Sequence, residues 1–251
     1  MTDPEKPSLE NLVESGIIDV ESLHPGGMVV TEELAELCCV NENTLLLDVA
    51  SGTGESACFL AEKYGCTITG IDASEALVQH ATEKARARGF RIDFRVGDAH
   101  DLLFDENRFD VVISECTTCV LDKERAIAEM VRVTKPGGYV GIHDICWQDD
   151  TPEKMKIRLE EIEGEKPETL ESWADLFRQA GLVNCESIDR SALIPVWIRS
   201  LKKNLGWKGQ WNIAKTVYRR WGLNGLMTVW ASQRIFSSRH TGYGITVGRK
   251  G

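Results

Sequence analysis

Leu45-Leu-Leu-Asp48-Val-Ala50-Ser51-Gly52-Thr-Gly54-Glu-Ser-Ala57 decides the fold. An apolar run ends on a carboxylate, a glycine-rich turn follows, and a helical pattern begins at Ser56. Continuous hydrophobic sequence is the mark of a strand buried on both faces. A glycine-rich turn after it lets a ligand approach the backbone and meet the free N–H groups of a helix N-terminus.

Outward from this stretch the same alternation repeats. Thr67–Ile71 precedes a helical pattern over Ser74–Arg88; Ile92–Val96 follows; Phe109–Ser114 precedes Lys123–Val133; Tyr139–Ile145 comes next. The spacing leaves room for crossover helices, so the chain is α/β with a doubly wound, mostly parallel sheet. Before it, residues 1–30 read as short helical pieces and a His24-Pro-Gly-Gly27 turn, and Thr31 as the N-cap of a helix. After it, residues 149–180 read as mostly helical, a sixth strand lies near Val183–Ile188, and Tyr243–Val247 alternates like an edge strand. This divides the chain into an N-terminal helical lid (1–43), a ligand-binding core (44–148), and the remaining strands with a helical, Trp- and Arg-rich cap (149–251).

Composition narrows the class. The chain has 251 residues, 42% hydrophobic and 27% charged, enough to bury a core. The longest stretch without Asp, Glu, Lys or Arg, Trp221–Gln233, has 13 residues, short of the ~20 needed to span a bilayer. The polar start MTDPEKPSLE lacks the pattern of a signal peptide, and the expected location is cytoplasmic. Eight scattered cysteines are too sparse for a disulfide framework and are expected to be reduced. The net charge of −10 conceals a split: there is no acidic residue after Asp189, so the first 189 residues carry −22 and the last 62 carry +12. Five of the seven Trp lie in residues 195–236, where Trp211, Ala214, Val217, Tyr218 and Trp221 share one helical side and Lys208, Lys215 and Arg219 another. This is either a core-facing stripe with a solvated basic face or a surface for an anionic membrane.

The loop itself is ambiguous, because Gly52-Thr-Gly54-Glu-Ser-Ala57 also satisfies the G-x-G-x-x-A dinucleotide fingerprint. Three further motifs separate the readings: Asp72 ends the second strand, Gly97-Asp98-Ala99 ends the third, and Val133-Thr-Lys-Pro-Gly137-Gly138 precedes the fifth. With Phe109-Asp110-Val-Val-Ile-Ser114, these resemble the successive motifs of class I S-adenosylmethionine-dependent methyltransferases, of the type acting on ubiquinone and menaquinone, from Leu45 to Ile145. The resemblance implies a Rossmann-like methyltransferase fold with S-adenosylmethionine as cofactor. It implies that Asp48, Ala50, Ser51, Gly52 and Gly54 hold the methionine portion, that Asp72 binds the ribose, and that Ala73 packs on the adenine. Asp98 and Ala99 would read the adenine, with Ser114 and Glu115 lining the reaction side. Ala50 departs from the glycine many members carry there.

The sequence says least about the acceptor, because the cofactor supplies the electrophile and no catalytic triad is required. Candidate catalytic residues are Cys116, His143 and Glu115, at the ends of the fourth and fifth strands, where open α/β sheets bind ligands. Ser114-Glu-Cys116 resembles the end of the fourth strand in arsenite methyltransferases and implies an arsenic-binding role for Cys116, with Cys58 and Cys146 as further thiols. Packing as buried small residues is the other reading of these cysteines. Asp144 shares the end of the fifth strand, His24 lies in the lid, and His100 reads as a solvated loop residue. No metal site is expected, since Cys116-x-x-Cys119 has no second pair. A small-molecule acceptor is expected, arsenite or a thiol being the sharpest candidate. The rivals are a quinone or lipid at a membrane surface, an NAD-dependent oxidoreductase, and a non-catalytic S-adenosylmethionine-binding module. Nucleic acid is not expected as a partner, and the oligomeric state is not legible.

Overall fold

The computed structural model describes Pro7 and residues 24–251, so most of the expected N-terminal helical pieces lie outside the described residues. Five strands, β1 (Leu45–Val49), β2 (Thr67–Asp72), β3 (Asp93–Val96), β4 (Phe109–Glu115) and β5 (Thr134–Trp147), run parallel. With β7 (Leu182–Asp189) and β8 (Thr241–Lys250) they form the order β3-β2-β1-β4-β5-β8-β7; the short β6 (Glu168–Thr169) pairs with β5. The chain reverses its winding between β1 and β4, and that crevice is where such sheets take their ligands.

The helices cover both faces of the sheet because the central strands are apolar throughout. Leu46, Leu47, Val49, Val111, Val112 and Ile113 are all buried. The helices α2 (Glu55–Tyr64), α3 (Glu75–Ala87) and α4 (Lys123–Val133) supply the crossovers. Ser74 caps α3 by accepting from the Leu77 N–H, and Asp122 caps α4 by accepting from Arg125. The remaining helices are α1 (Met28–Leu37), α5 (Glu153–Glu163), α6 (Leu170–Gln179) and α7 (Leu193–Phe236).

Three expectations are corrected. Thr31 is not an N-cap: α1 begins at Met28 after Gly26 and Gly27, both in left-handed conformations, and Thr31 lies buried inside its first turns. Tyr243–Val247 is not an edge strand, since β8 lies between β5 and β7, antiparallel to both. The alternation there is large against glycine rather than inside against outside. Tyr243 and Ile245 fill one face, while a Cβ on Gly244 would stand 2.3 Å from Leu170 and one on Gly248 2.9 Å from Leu182.

The stripe in residues 195–236 is not a core stripe. Of its five members only Val217 is fully buried, and Trp211 and Tyr218 are exposed. Helix α7 is also broken at Gly206 (φ 58°, ψ −179°) and Gly222 (φ 66°, ψ −156°), conformations open only to glycine, so one helical wheel cannot describe it. The segment around α1 is tied to the C-terminal part of the chain at two points. Arg190 forms a bidentate pair with Glu33, with Nε donating to Oε2 at 2.8 Å, and Gly26 gives close passage to Val30 and Leu193.

Candidate active site

Asp48 is the last residue but one of β1 and is almost fully buried, with Oδ2 lacking a hydrogen-bond partner among the described residues. Burial, then the nearby carboxylates of Glu115 and Asp72, push its pKa well above the ordinary range. The turn that follows holds three left-handed residues in five: Ala50 (φ 60°), Gly52 (φ 53°) and Gly54 (φ 71°). This explains the glycine usual at the first of these positions, because alanine pays roughly 1–2 kcal/mol for that conformation.

The two glycines do different jobs. A Cβ on Gly54 would stand 2.7 Å from the Phe94 ring and 2.8 Å from Ala81, so Gly54 serves close packing of α2 on the sheet. A Cβ on Gly52 would meet nothing within 4 Å, so Gly52 faces open space at the ligand side. The buried Ser51 hydroxyl beside it also lacks a partner among the described residues. Asp72 ties the turn to the next crossover: Oδ2 accepts from the Gly52 N–H and Oδ1 from the Ser74 N–H, both at 2.9 Å. Each oxygen keeps a second lone pair free of these two bonds.

Asp98 and Ala99 follow β3, the former exposed and the latter buried. His100 is a structural link rather than a solvated residue. Its Nε2 accepts from the Asp122 N–H at 3.0 Å, so Nδ1 carries the proton and donates to Asp98 Oδ1 at 2.7 Å. The His100 backbone N–H and ring hold Asp98 below its ordinary pKa.

A second polar cluster assembles where β4 ends, beside His143 in β5, which runs four residues further to Trp147. Glu115 and His143 are cross-strand partners, and Cys116 turns the chain with a left-handed φ of 51°. Four groups converge on Glu115 Oε2: the Ser56 hydroxyl at 2.5 Å, the Thr31 hydroxyl at 3.1 Å, His143 Nε2 at 3.2 Å and His24 Nε2 at 3.5 Å. The Tyr243 hydroxyl lies 2.6 Å from His143 Nδ1. With Nδ1 accepting from Tyr243, Nε2–H lies on the Glu115 side of the ring, 3.2 Å from Oε2; the other tautomer sets a lone pair against that carboxylate.

Burial alone would raise the Glu115 pKa, but the His143 and His24 imidazoles and the Ser56 hydroxyl outweigh it and bring it to about 2. Burial, then His143, lowers His24 to about 4. At neutral pH Glu115 is therefore a carboxylate beside a neutral His24, and its Oε1 is buried with no partner among the described residues. Ser114 lies fully buried beside it, its hydroxyl likewise without a partner among those residues.

The thiols do not converge. Cys116 Sγ sits 3.8 Å from the Tyr243 hydroxyl and 3.7 Å from His143 Nδ1, and burial pushes its pKa well above the ordinary value. Cys58 has Arg88, Glu55 and Lys84 as its charged neighbours, on the α3 side. Cys146 packs on Gly242 and is raised to about 12. Asp144 turns to accept the Cys119 N–H at 2.9 Å, which fastens the turn after β4, and burial raises it to about 6. Among the described residues the trio with donor atoms within 4.8 Å of one another is His24, Glu115 and His143, a spacing a divalent cation also accepts and one without a thiol.

Sequence reasoning placed Glu115 and His143 in the site but missed Thr31, Ser56 and Tyr243. The Ser56 signal was available, as the second residue of the crossover helix; Thr31 and Tyr243 depended on a lid position and a strand insertion that carry no local signature.

The pH dependence of stability follows from His24. Between pH 6.5 and about 4 the unfolded chain takes up a proton that the folded His24 refuses, so acidification through this window destabilises the fold. Asp144 acts oppositely, its folded form taking up a proton below about pH 6. A comparison of variants isolates the first effect. Thermal melts at pH 6.5 and 4.5 are expected to show a smaller loss of Tm for His24→Gln than for wild type; equal losses would contradict the assignment.

Comparison with known proteins agrees with this geometry. Residues 40–216 match the family described as "Methyltransferase domain", and the chain belongs to that family. It is 29% identical over 182 residues to "Phosphoethanolamine N-methyltransferase 1" of Triticum aestivum, covering 72% of this chain but only 36% of that protein. Among solved structures, phosphoethanolamine N-methyltransferase 2 of Haemonchus contortus in complex with S-adenosyl-L-methionine superposes with a TM-score of 0.79 at 19% identity, covering 96% of this chain and 57% of that one. The [4+2]-cyclase SpnF superposes with a TM-score of 0.71 at 26% identity, covering 88% of this chain and 80% of that one. The protein is a methyltransferase with a Rossmann-like fold, and the Haemonchus contortus enzyme of that fold holds S-adenosyl-L-methionine. The unpartnered Asp48 and Ser51 oxygens and the open space at Gly52 fit that cofactor at the β1 turn.

Proposed function

We propose that this methyltransferase acts on a small amine held against Glu115. The observation that carries the proposal is the buried, ionised Glu115 carboxylate, whose Oε1 has no partner among the described residues. Bound S-adenosylmethionine supplies an electrophilic methyl group on a sulfonium. An amine N–H donated to Oε1 would hold the nitrogen there, and the positive charge that methylation places on it would lie beside a fixed carboxylate, which stabilises charge most where it develops. The amine proton leaves to water after transfer. A thiolate or oxyanion acceptor would meet the same carboxylate unfavourably, and the protonated, scattered thiols give arsenite no shared ligand set. The similarity to phosphoethanolamine N-methyltransferases supports the same acceptor class.

Within this reading Asp48 faces the methionine amino group, Asp72 the ribose, and Ala73, Asp98 and Ala99 the adenine. Residues 24–43 act as the lid, through His24 and Thr31. Cys116 positions His143 and Tyr243 rather than touching the acceptor. The test is methyl transfer from labelled S-adenosylmethionine to ethanolamine, phosphoethanolamine, glycine and sarcosine, beside arsenite with glutathione. Labelled product from at least one amine and none from arsenite is expected. Turnover of arsenite alone would overturn the proposal.

A further inference from the structure

Helix α7 presents a surface that the active site does not use. Trp207, Trp211 and Tyr218 are 75%, 67% and 54% exposed, and at 100° per residue they lie within roughly 40° of one another. Beyond the Gly222 break, Leu223, Met227 and Trp230 recur at i, i+4 and i+7 and are equally exposed. Elsewhere the helix packs on the protein through Val217, Gly225 and Ile235, which are buried. Basic residues flank the apolar face: Lys208, Lys215 and Arg219 beside the first segment, and Arg234 in the second. Lys208 lies 5.8 Å from the Trp207 ring centre and Arg234 4.8 Å from that of Trp230, pairing cations with amphipathic rings. Monomeric proteins rarely leave so much aromatic and aliphatic surface in water.

We propose that this face docks on an anionic phospholipid surface, with the Trp, Leu and Met side chains in the headgroup region and the Lys and Arg side chains on lipid phosphates. Charge decides among the occupants. There is no Asp or Glu after Asp189, so a twofold contact between copies through this face would set like charges against each other. Exposed Leu223 and Met227 have no counterpart in a nucleic-acid strand, whose stacking favours aromatic rings alone. No helix among the described residues is long and apolar enough to cross a membrane, so the contact is peripheral. The glycine breaks let the two apolar segments settle separately onto a surface. Leu193, which opens α7, packs against Gly26, two residues from His24, so the docking element joins the lid directly.

The test is co-sedimentation of the full chain with vesicles of phosphatidylglycerol and phosphatidylcholine in equal parts, against phosphatidylcholine alone, with tryptophan emission recorded. Binding to the anionic vesicles, a blue-shifted emission and release by salt are expected. Trp207→Ala/Trp211→Ala/Trp230→Ala and Lys208→Gln/Lys215→Gln/Arg219→Gln should each lower partitioning at least about tenfold while leaving the melting temperature unchanged. These positions are on the surface, so both variants report on docking. Three results would each overturn the proposal: no binding at low salt, equal binding by the variants, or a lipid-free dimer or single-stranded nucleic-acid complex that the variants abolish.

Discussion

Gly52→Val is expected to lose S-adenosylmethionine binding altogether while keeping the fold. Gly52 has φ 53° and a Cβ there would meet nothing of the protein within 4 Å; in the proposed reading the cofactor fills that open space, and the added side chain would compete for it. The loss is steric, and no protein group can shift to relieve it. A β-branched residue is also strained at positive φ, so Gly52→Ala is the companion variant, with a strain of roughly 1–2 kcal/mol and a single methyl in the pocket. Equilibrium titration should show no saturable binding by the valine variant and a weakened constant for the alanine variant, with circular dichroism spectra like wild type. Wild-type affinity in a folded Gly52→Val protein would contradict the placement of the cofactor on this turn. Gly54→Val is different in kind, because it collides with Phe94 and Ala81 and should reduce stability instead.

Glu115→Gln is expected to lower the rate of methyl transfer by about 10²–10³-fold, the usual cost of removing one charge-stabilising group aimed at a transition state. The amide keeps the size of the side chain and can still accept from Ser56 and Thr31, so the scaffold survives. What disappears is the negative charge opposite the nitrogen. Cofactor affinity should change little, since Asp48, Asp72 and the turn are untouched. A loss appearing wholly in cofactor affinity, with the rate at saturation unchanged, would move Glu115 from the acceptor side to the cofactor side.

The fold was largely legible because parallel strands, glycine turns and crossover helices are local patterns. Asp48 to Gly54 and Asp72 stood out by residue type and spacing, and the structure joins them at one turn, where Asp72 accepts from the Gly52 N–H. Illegible features depended on long-range placement. Thr31 looked like a helix cap and instead reaches Glu115, 84 residues away. Tyr243 looked like an edge-strand aromatic and instead reaches His143, 100 residues away, because glycines on its strand's other face admit Leu170 and Leu182. Cys116 drew attention by its chemistry, yet its burial keeps it a thiol. The Trp stripe failed for a further reason: Gly206 and Gly222 interrupt the helix, and periodicity says nothing about which side a helix presents.

The most direct test of the central claim is single-turnover methyl transfer to the preferred amine by Cys116→Ser beside Glu115→Gln and wild type, with cofactor binding measured in the same samples. Cys116→Ser should stay within about threefold of wild type while Glu115→Gln falls by about a hundredfold, as expected when the charge and not the thiol acts on the transition state. An inactive Cys116→Ser beside an active Glu115→Gln would contradict the account and return the chemistry to the thiol.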